Sequence, residues 1–249
     1  MENVRVPDFS VRFSSGMKLF PACHVGADIG SDHGKMAVAL LQSGLCRRTI
    51  ATDISAPSLS KARKAAKTHA LEEKMEFRVG DGLSIFEKGE ADVAIIAGMG
   101  GEMIAKILTE GEHVARAMNA LLLQPMQHAA KLRYFLRNNG WRIEEECICN
   151  EGRRIYEWMR VVSGAPDHYP GEFSGEEEGP NVMDEIGPLL FLQRDPLSIE
   201  RLRFKRKTWQ REYELARRGI TDSAGQAATN LRNRVLQAES LLSILEGRQ

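Results

Sequence analysis

At 249 residues, 43% of them hydrophobic and with 34 basic side chains against 34 acidic, the chain has apolar material for one substantial core and a smaller appendage. No stretch approaches the roughly 20 uninterrupted apolar residues of a membrane helix, and the opening segment, with Glu2, Arg5, Asp8 and Arg12, lacks the apolar core of a signal peptide, so a cytoplasmic protein is expected. Zero net charge does not announce a nucleic-acid binder, and Cys23, Cys46, Cys147 and Cys149, without C-x-x-C spacing, read as reduced packing thiols rather than metal ligands.

In chain order, a short helix over 9–19 is followed by alternating apolar β-type and helical segments. Strands are expected at 24–29, 49–54, 75–79, 93–97, 120–123, 141–148 and 155–162, and helices at 35–42, 57–69, 102–109 and 129–138. Ser55 and Pro57 suit a helix start, and Asn139-Gly140 suits a helix end. The last two strands have no helix between them and meet near Glu151-Gly152. They are therefore expected to form an antiparallel hairpin at the C-terminal edge, which argues against a plain dinucleotide-binding fold.

Beyond this α/β domain, 1–162, lies a linker, 163–185, rich in Pro and Gly, with 7 acids and no Lys or Arg. It is expected to be irregular. The remainder, 186–249, reads as two helices, 189–218 and 223–247, broken at Gly219. Leu231, Val235, Leu241, Leu242 and Leu245 would pack on Leu197, Leu202, Trp209 and Leu215 in an antiparallel hairpin. Residues 186–218 carry 9 basic against 4 acidic side chains, which is either a solvated face or a contact for nucleic acid.

The chemistry-bearing residues stand at the ends of the expected strands. The first runs into Asp28-Ile29-Gly30-Ser31-Asp32-His33-Gly34, a turn with the glycines of a nucleotide site but with acids where a pyrophosphate would be repelled. A cofactor with a cationic centre suits those acids; Asp32 also suits a helix cap. Asp53, ending the second strand before Ile54, is placed to accept both hydroxyls of a ribose. Asp81, in Gly80-Asp81-Gly82, is placed to accept from an adenine amino group, unless the glycines mark only a tight turn. The fourth strand ends in Gly98-Met99-Gly100-Gly101, either a strained turn or a surface where a flat ligand passes close to backbone. The Asn/Asp-Pro-Pro-aromatic motif of exocyclic amine methylation is absent there.

The segments ADIGSDHG, ATDIS, GDGL, IIAGMGGEMI, LLLQP, LRNNGW and IYEWM, spread over 24–162, together resemble the bacterial family of tRNA adenine-N1 methyltransferases acting at position 22 of the D-arm. The basic helical hairpin is similar to that family's C-terminal coiled coil. Two departures stand out: Lys35-Met36-Ala37 where members often have Tyr-Leu-Pro, and Met126 where they often have Asn.

The resemblance implies a Rossmann-like, doubly wound class I methyltransferase sheet of seven strands ending in an antiparallel hairpin, with a helical coiled-coil extension. It implies S-adenosylmethionine held by Asp28, Gly30, Ser31, Gly34, Asp53, Ile54, Gly80, Asp81, Gly82, Gly98, Met99 and Gly100. Asp32 and His33 are the catalytic candidates, and Gln124, Pro125, Arg153, Arg154, Arg201, Arg203, Lys205, Arg206 and Lys207 the contacts to tRNA. Two other readings stay open: a methyltransferase of this fold acting on a small molecule or protein, and an RNA-binding protein that has lost activity.

Overall fold

A computed structural model describes residues 10–165, 179–219 and 222–247. The chain divides into two compact units, one ending at Asp167 and the other beginning at His168. Phe9, expected in the first helix, and most of the expected linker lie outside the described residues.

The first unit opens with helix α1 (Val11–Met17). Then come β1 (Cys23–Ile29), α2 (Lys35–Gln42), β2 (Cys46–Asp53), α3 (Ala56–Thr68), β3 (Met75–Val79), β4 (Val93–Gly100), α4 (Gly101–Glu110), α5 (Glu112–Ala115), β5 (Ala120–Gln127), α6 (Ala129–Asn138), β6 (Trp141–Glu151) and β7 (Arg154–Ser163). The seven strands form one sheet in the order β3-β2-β1-β4-β5-β7-β6. The first five run parallel, and β7 lies antiparallel between β5 and β6. Ile29, Ala51, Ile95, Ile96, Leu122 and Leu123 are almost wholly buried, as expected of central strands covered on both faces.

Local chemistry sets the helix starts. Ser55 caps α3 by accepting from the Ser58 N–H at 3.3 Å, with a proline in the first turn. α1 is seated on the hairpin by Gly16, where a Cβ would lie 2.4 Å from the Trp158 ring, and by the Trp158 indole N–H, which donates to the Arg12 carbonyl at 2.9 Å. Beneath the hairpin, the buried Arg133 of α6 donates to Glu146 of β6 at 2.7 Å and Glu157 of β7 at 2.6 Å. The thiols of Cys23 and Cys46 face each other at 3.3 Å across β1 and β2.

The end of β4 differs from the expectation, while the expected antiparallel hairpin stands at the edge of the sheet. β4 does not end at residue 97: after a register shift near Ala97 and Met99 it runs to Gly100, and α4 begins at Gly101. The glycine run is therefore a bulged strand end joined directly to a helix. The outer edge belongs to β6, while β7 is interior, its Trp158, Met159 and Val161 fully buried.

In the second unit α7 (Val182–Ile186), α8 (Pro188–Leu192), α9 (Pro196–Ala216) and α10 (Asp222–Glu246) follow one another. The end of the expected linker is thus helical, not irregular. Asn181 forms a capping box with Asp184, and Val182, Met183 and Ile186 enter the core beside Phe191, Leu202, Trp209, Val235 and Leu241. The expected single helix is also broken, because Asp195 caps a new start at Pro196. Leu215, expected in the seam, is 68% exposed. It lies six residues beyond Trp209, about 240° around a helix of 3.6 residues per turn, and so off the buried face. Leu197 likewise lies outside the core cluster.

Candidate ligand cleft at the carboxyl ends of the strands

The parallel strands all end on one side, where open α/β sheets bind their ligands. A cleft of about 440 Å³ opens there, lined by Ile29, Gly30, Asp53, Ile54, Gly80, Asp81, Gly82, Ala97, Gly98, Met99, Met103, Lys106 and Ile107.

Asp53 ties two turns together. Its carboxylate accepts from the main-chain N–H of Asp32 at 3.0 Å and of Ser55 at 2.8 Å. An ionised carboxylate has about four acceptor positions, so capacity remains for donors arriving from the cleft. Asp81 is exposed on the cleft wall, and its carboxylate has no partner among the described residues. Ile54, 73% exposed, stands beside Asp53, while Met103 and Ile107 of α4 provide further apolar wall. The set can hold a ligand with paired hydroxyls, a flat apolar ring and an amino group.

Asp28 is not on that wall. It is 4% exposed, and it accepts from the Ser31 hydroxyl at 2.6 Å and the Ala37 N–H at 3.2 Å, pinning the glycine turn to the first turn of α2. Burial pushes its pKa up to about 6, although these two hydrogen bonds oppose the shift. Ser31 is accordingly turned toward Asp28. Gly34 caps α2 at φ +70°, and a Cβ there would lie 2.8 Å from that of Ala62, so α2 and α3 close around it. Asp32, held at φ +48°, and His33 are both half-exposed, their side chains 3.2 Å apart at Oδ2 and Nε2.

The far side of the rim is built by side chains. Gln124, fully buried, accepts through Oε1 from the Arg12 guanidinium and from the Gly98 N–H at 3.2 Å, and its amide donates to the Pro125 carbonyl at 2.9 Å. Gln124 and Pro125, expected to contact substrate, are buried and support the Gly98 turn instead. Arg12 also lies over the Tyr156 ring at 5.0 Å. Gly98 adopts φ +79°, while Gly101 is required by space, since a Cβ would fall 2.4 Å from the His128 carbonyl oxygen. At Gly100 a Cβ would meet only ordinary contact with Gln127, at 3.8 Å. The hairpin register carries Arg153 and Arg154, both exposed, to the end of the sheet where β5 terminates.

Among the other expected anchors, Arg203 pairs with Glu246 at 2.8 Å, Lys205 with Glu185 at 3.1 Å and Arg206 with Glu239 at 3.0 Å, all within the second unit. Lys207 has no carboxylate partner among the described residues, and Arg201 lies on the same helix. Sequence reasoning missed Arg12, Tyr156, Met103, Lys106 and Ile107. The spacing of Met103 and Ile107, one helical turn apart directly after a glycine turn, could have placed those two at the cleft.

A parallel sheet closed by an antiparallel β7 between β5 and β6, with its cleft at the ends of β1 to β4, defines the class I methyltransferase fold. The chain belongs to the methyltransferase-domain family, whose model matches residues 9–159. It is similar to the tRNA (adenine(22)-N(1))-methyltransferase of Bacillus subtilis (strain 168), 28% identical over 225 residues that span 90% of this chain and 89% of the relative. The crystal structure of the B. subtilis M1A22 tRNA methyltransferase TrmK superposes with a TM-score of 0.83 at 26% identity, covering 94% of this chain and 99% of that one. A Streptococcus pneumoniae protein described as a tRNA (m1A22) methyltransferase, in complex with S-adenosyl-L-methionine, gives a TM-score of 0.74 at 26% identity, covering 94% and 99%.

Proposed function

We propose that the chain transfers a methyl group from S-adenosylmethionine to N1 of an adenine in tRNA, at position 22 of the D-arm. The carrying observation is the reach of the likeness: it covers 94% of this chain and 99% of the B. subtilis enzyme, so it takes in the helical unit as well as the α/β fold.

When bound, S-adenosylmethionine supplies an electrophilic methyl group on a cationic sulfur. In this reading Asp53 accepts the ribose hydroxyls, Asp81 the adenine amino group, and Ile54 covers the adenine ring. The turns at Gly30, at Gly80 and Gly82, and at Gly98, Met99 and Gly100 form the walls. Asp28, Ser31 and Gly34 shape the first turn without reaching the ligand.

Adenine N1 carries a lone pair and no proton at neutral pH, so this chain needs no general base for the attack. Its tasks are alignment and compensation for the charge that passes onto the adenine ring. Asp32, an exposed carboxylate on the first turn, supplies that compensation, and His33 beside it orients the base. N1 lies on the Watson-Crick edge, so the base must be met unpaired or drawn out of its stem. Arg153 and Arg154 meet the RNA at the sheet end, and residues 186–249, with Arg201, Arg203, Lys205, Arg206 and Lys207, act as a tRNA-binding extension of the catalytic domain 1–162. A cytoplasmic location fits a tRNA substrate.

Incubation with labelled methyl donor and unmodified tRNA, followed by mass mapping of the digest, is expected to show N1-methyladenine at position 22. Absence of label from every tRNA overturns the assignment.

A further inference from the structure

Helix α3 carries Lys61, Arg63, Lys64 and Lys67 and no acidic residue. Its buried positions are Leu59, Ala62 and Ala66, which leaves the four cations spread over the outer face, and all four are exposed. Lys61 and Lys64, Arg63 and Lys67, and Lys64 and Lys67 stand three or four residues apart, a like-charged spacing that weakens a helix on its own. None of the four has a carboxylate partner among the described residues. Arg203, Lys205 and Arg206 of α9 each do.

The face is shaped as well as charged. Arg63, Lys64 and Lys67 line a groove of about 460 Å³ with Glu72, Met75 and Phe77 at the β3 edge of the sheet. The Arg63 guanidinium lies 4.6 Å over the Phe77 ring and reaches the Phe77 carbonyl at 3.5 Å, so its direction is set by the protein rather than by solvent. Glu72 is the single carboxylate lining the groove. From Lys61 to Lys67 the charges extend about 9 Å along the axis, at 1.5 Å per residue.

We propose that this outer face of α3 binds the sugar-phosphate backbone of the substrate RNA away from the methylated base, as a second anchor independent of the helical hairpin. The inference rests on the tRNA reading above. Closely spaced cations without carboxylate partners match consecutive phosphates, and contacts to phosphate fix orientation without reading sequence.

The test uses the full chain and unmodified tRNA, comparing the wild type with a Lys61→Gln, Lys64→Gln, Lys67→Gln variant across a series of salt concentrations. Removing one cation that neutralises a phosphate makes the dependence of log affinity on log salt shallower by about 0.7–0.9, so the slope of the triple variant is expected to be shallower by about 2. Its KM for tRNA should rise roughly tenfold, the scale on which a few phosphate contacts act at moderate salt. Melting temperature, affinity for S-adenosylmethionine and kcat at saturating tRNA should hold. A triple variant with wild-type slope and KM, in a preparation whose wild type binds and methylates tRNA, overturns the α3 anchor alone. A wild type that neither binds nor methylates tRNA overturns this inference together with the reading on which it rests.

Discussion

The two halves of the cleft rim are built by different means. On the side of β1, β2 and β3, backbone does the work: Gly34 caps a helix in a left-handed conformation, and Asp53 binds main-chain N–H groups from two turns. On the side of β4, β5 and β7, side chains from distant segments do it: Arg12 reaches Gln124 from 112 residues away, and Trp158 holds the Arg12 carbonyl from 146 residues away. The first half is acidic, with Asp32, Asp53 and Asp81, and is the half proposed for the cationic methyl donor. The second presents Arg12, Arg153 and Arg154, a charge suited to an RNA phosphate rather than to the adenine ring, which gains positive charge in the reaction. Substitutions in the first half should therefore register in folding and donor binding, and those in the second in the use of tRNA.

The largest effect is expected at Gly34. Forcing alanine into its left-handed backbone and against Ala62 should cost about 2–5 kcal/mol of stability, read as a lower denaturant midpoint with unchanged slope. A wild-type midpoint for Gly34→Ala would mean that the backbone-built half is looser than its packing indicates. Next comes Asp53→Ala. Loss of hydrogen bonds to a charged acceptor should weaken S-adenosylmethionine by roughly 1.5–3 kcal/mol, about 10- to 150-fold in Kd, while calorimetry giving wild-type affinity would remove the ribose assignment.

The same contrast explains what is legible in the sequence. A strand-end acid before a helix cap can be read from Thr52-Asp53-Ile54-Ser55 because the cap and one of its partners, Ser55, are local, and the missing helix between the last two strands announces a hairpin. That β7 rather than β6 sits against β5 is not announced, because either order satisfies the hairpin; the near-continuous burial of Tyr156 to Met159 marks the inner strand only once packing is known. Asp28 reads as a ligand contact, yet Ser31 and Ala37, three and nine residues on, draw it inside. The basic run on α9 reads as available, yet its partners Glu185, Glu239 and Glu246 come from other helices. Local patterns locate strand ends and helix caps; which groups turn inward, and which charges pair across the fold, stay hidden until it assembles.

Asp28 gives the contrast a dependence on pH. Its carboxyl is raised from 3.8 to about 6, chiefly by burial, so between these values the folded chain holds a proton that the unfolded chain has released. Stability should then fall as pH rises through that window, by about 1.4 kcal/mol per pH unit where the difference is complete. Asp28→Asn should remove this component, so that its unfolding free energy falls less, or rises more, from pH 4 to pH 6 than that of the wild type. An unchanged slope would show that Asp28 ionises in the folded chain as it does in water.

The smallest effect is expected in the side-chain-built half. In Arg12→Ala, Gln124 keeps the Gly98 N–H as a donor, so the buried amide oxygen is not orphaned and the loss should be that of one hydrogen bond and two ring contacts, to Phe13 and Tyr156. That is about 0.5–1.5 kcal/mol, or roughly 2- to 10-fold in kcat/KM for tRNA. Arg12→Lys keeps the charge but not the planar group over Tyr156. A lysine variant resembling wild type would assign the effect to charge; one resembling alanine would assign it to the shape of the guanidinium. Donor affinity should stay constant across both variants, because Gln124 holds the Gly98 N–H whether or not the guanidinium beside it is present. A parallel fall in donor affinity would show that the two halves of the rim act as one unit, and the contrast between them would not survive it.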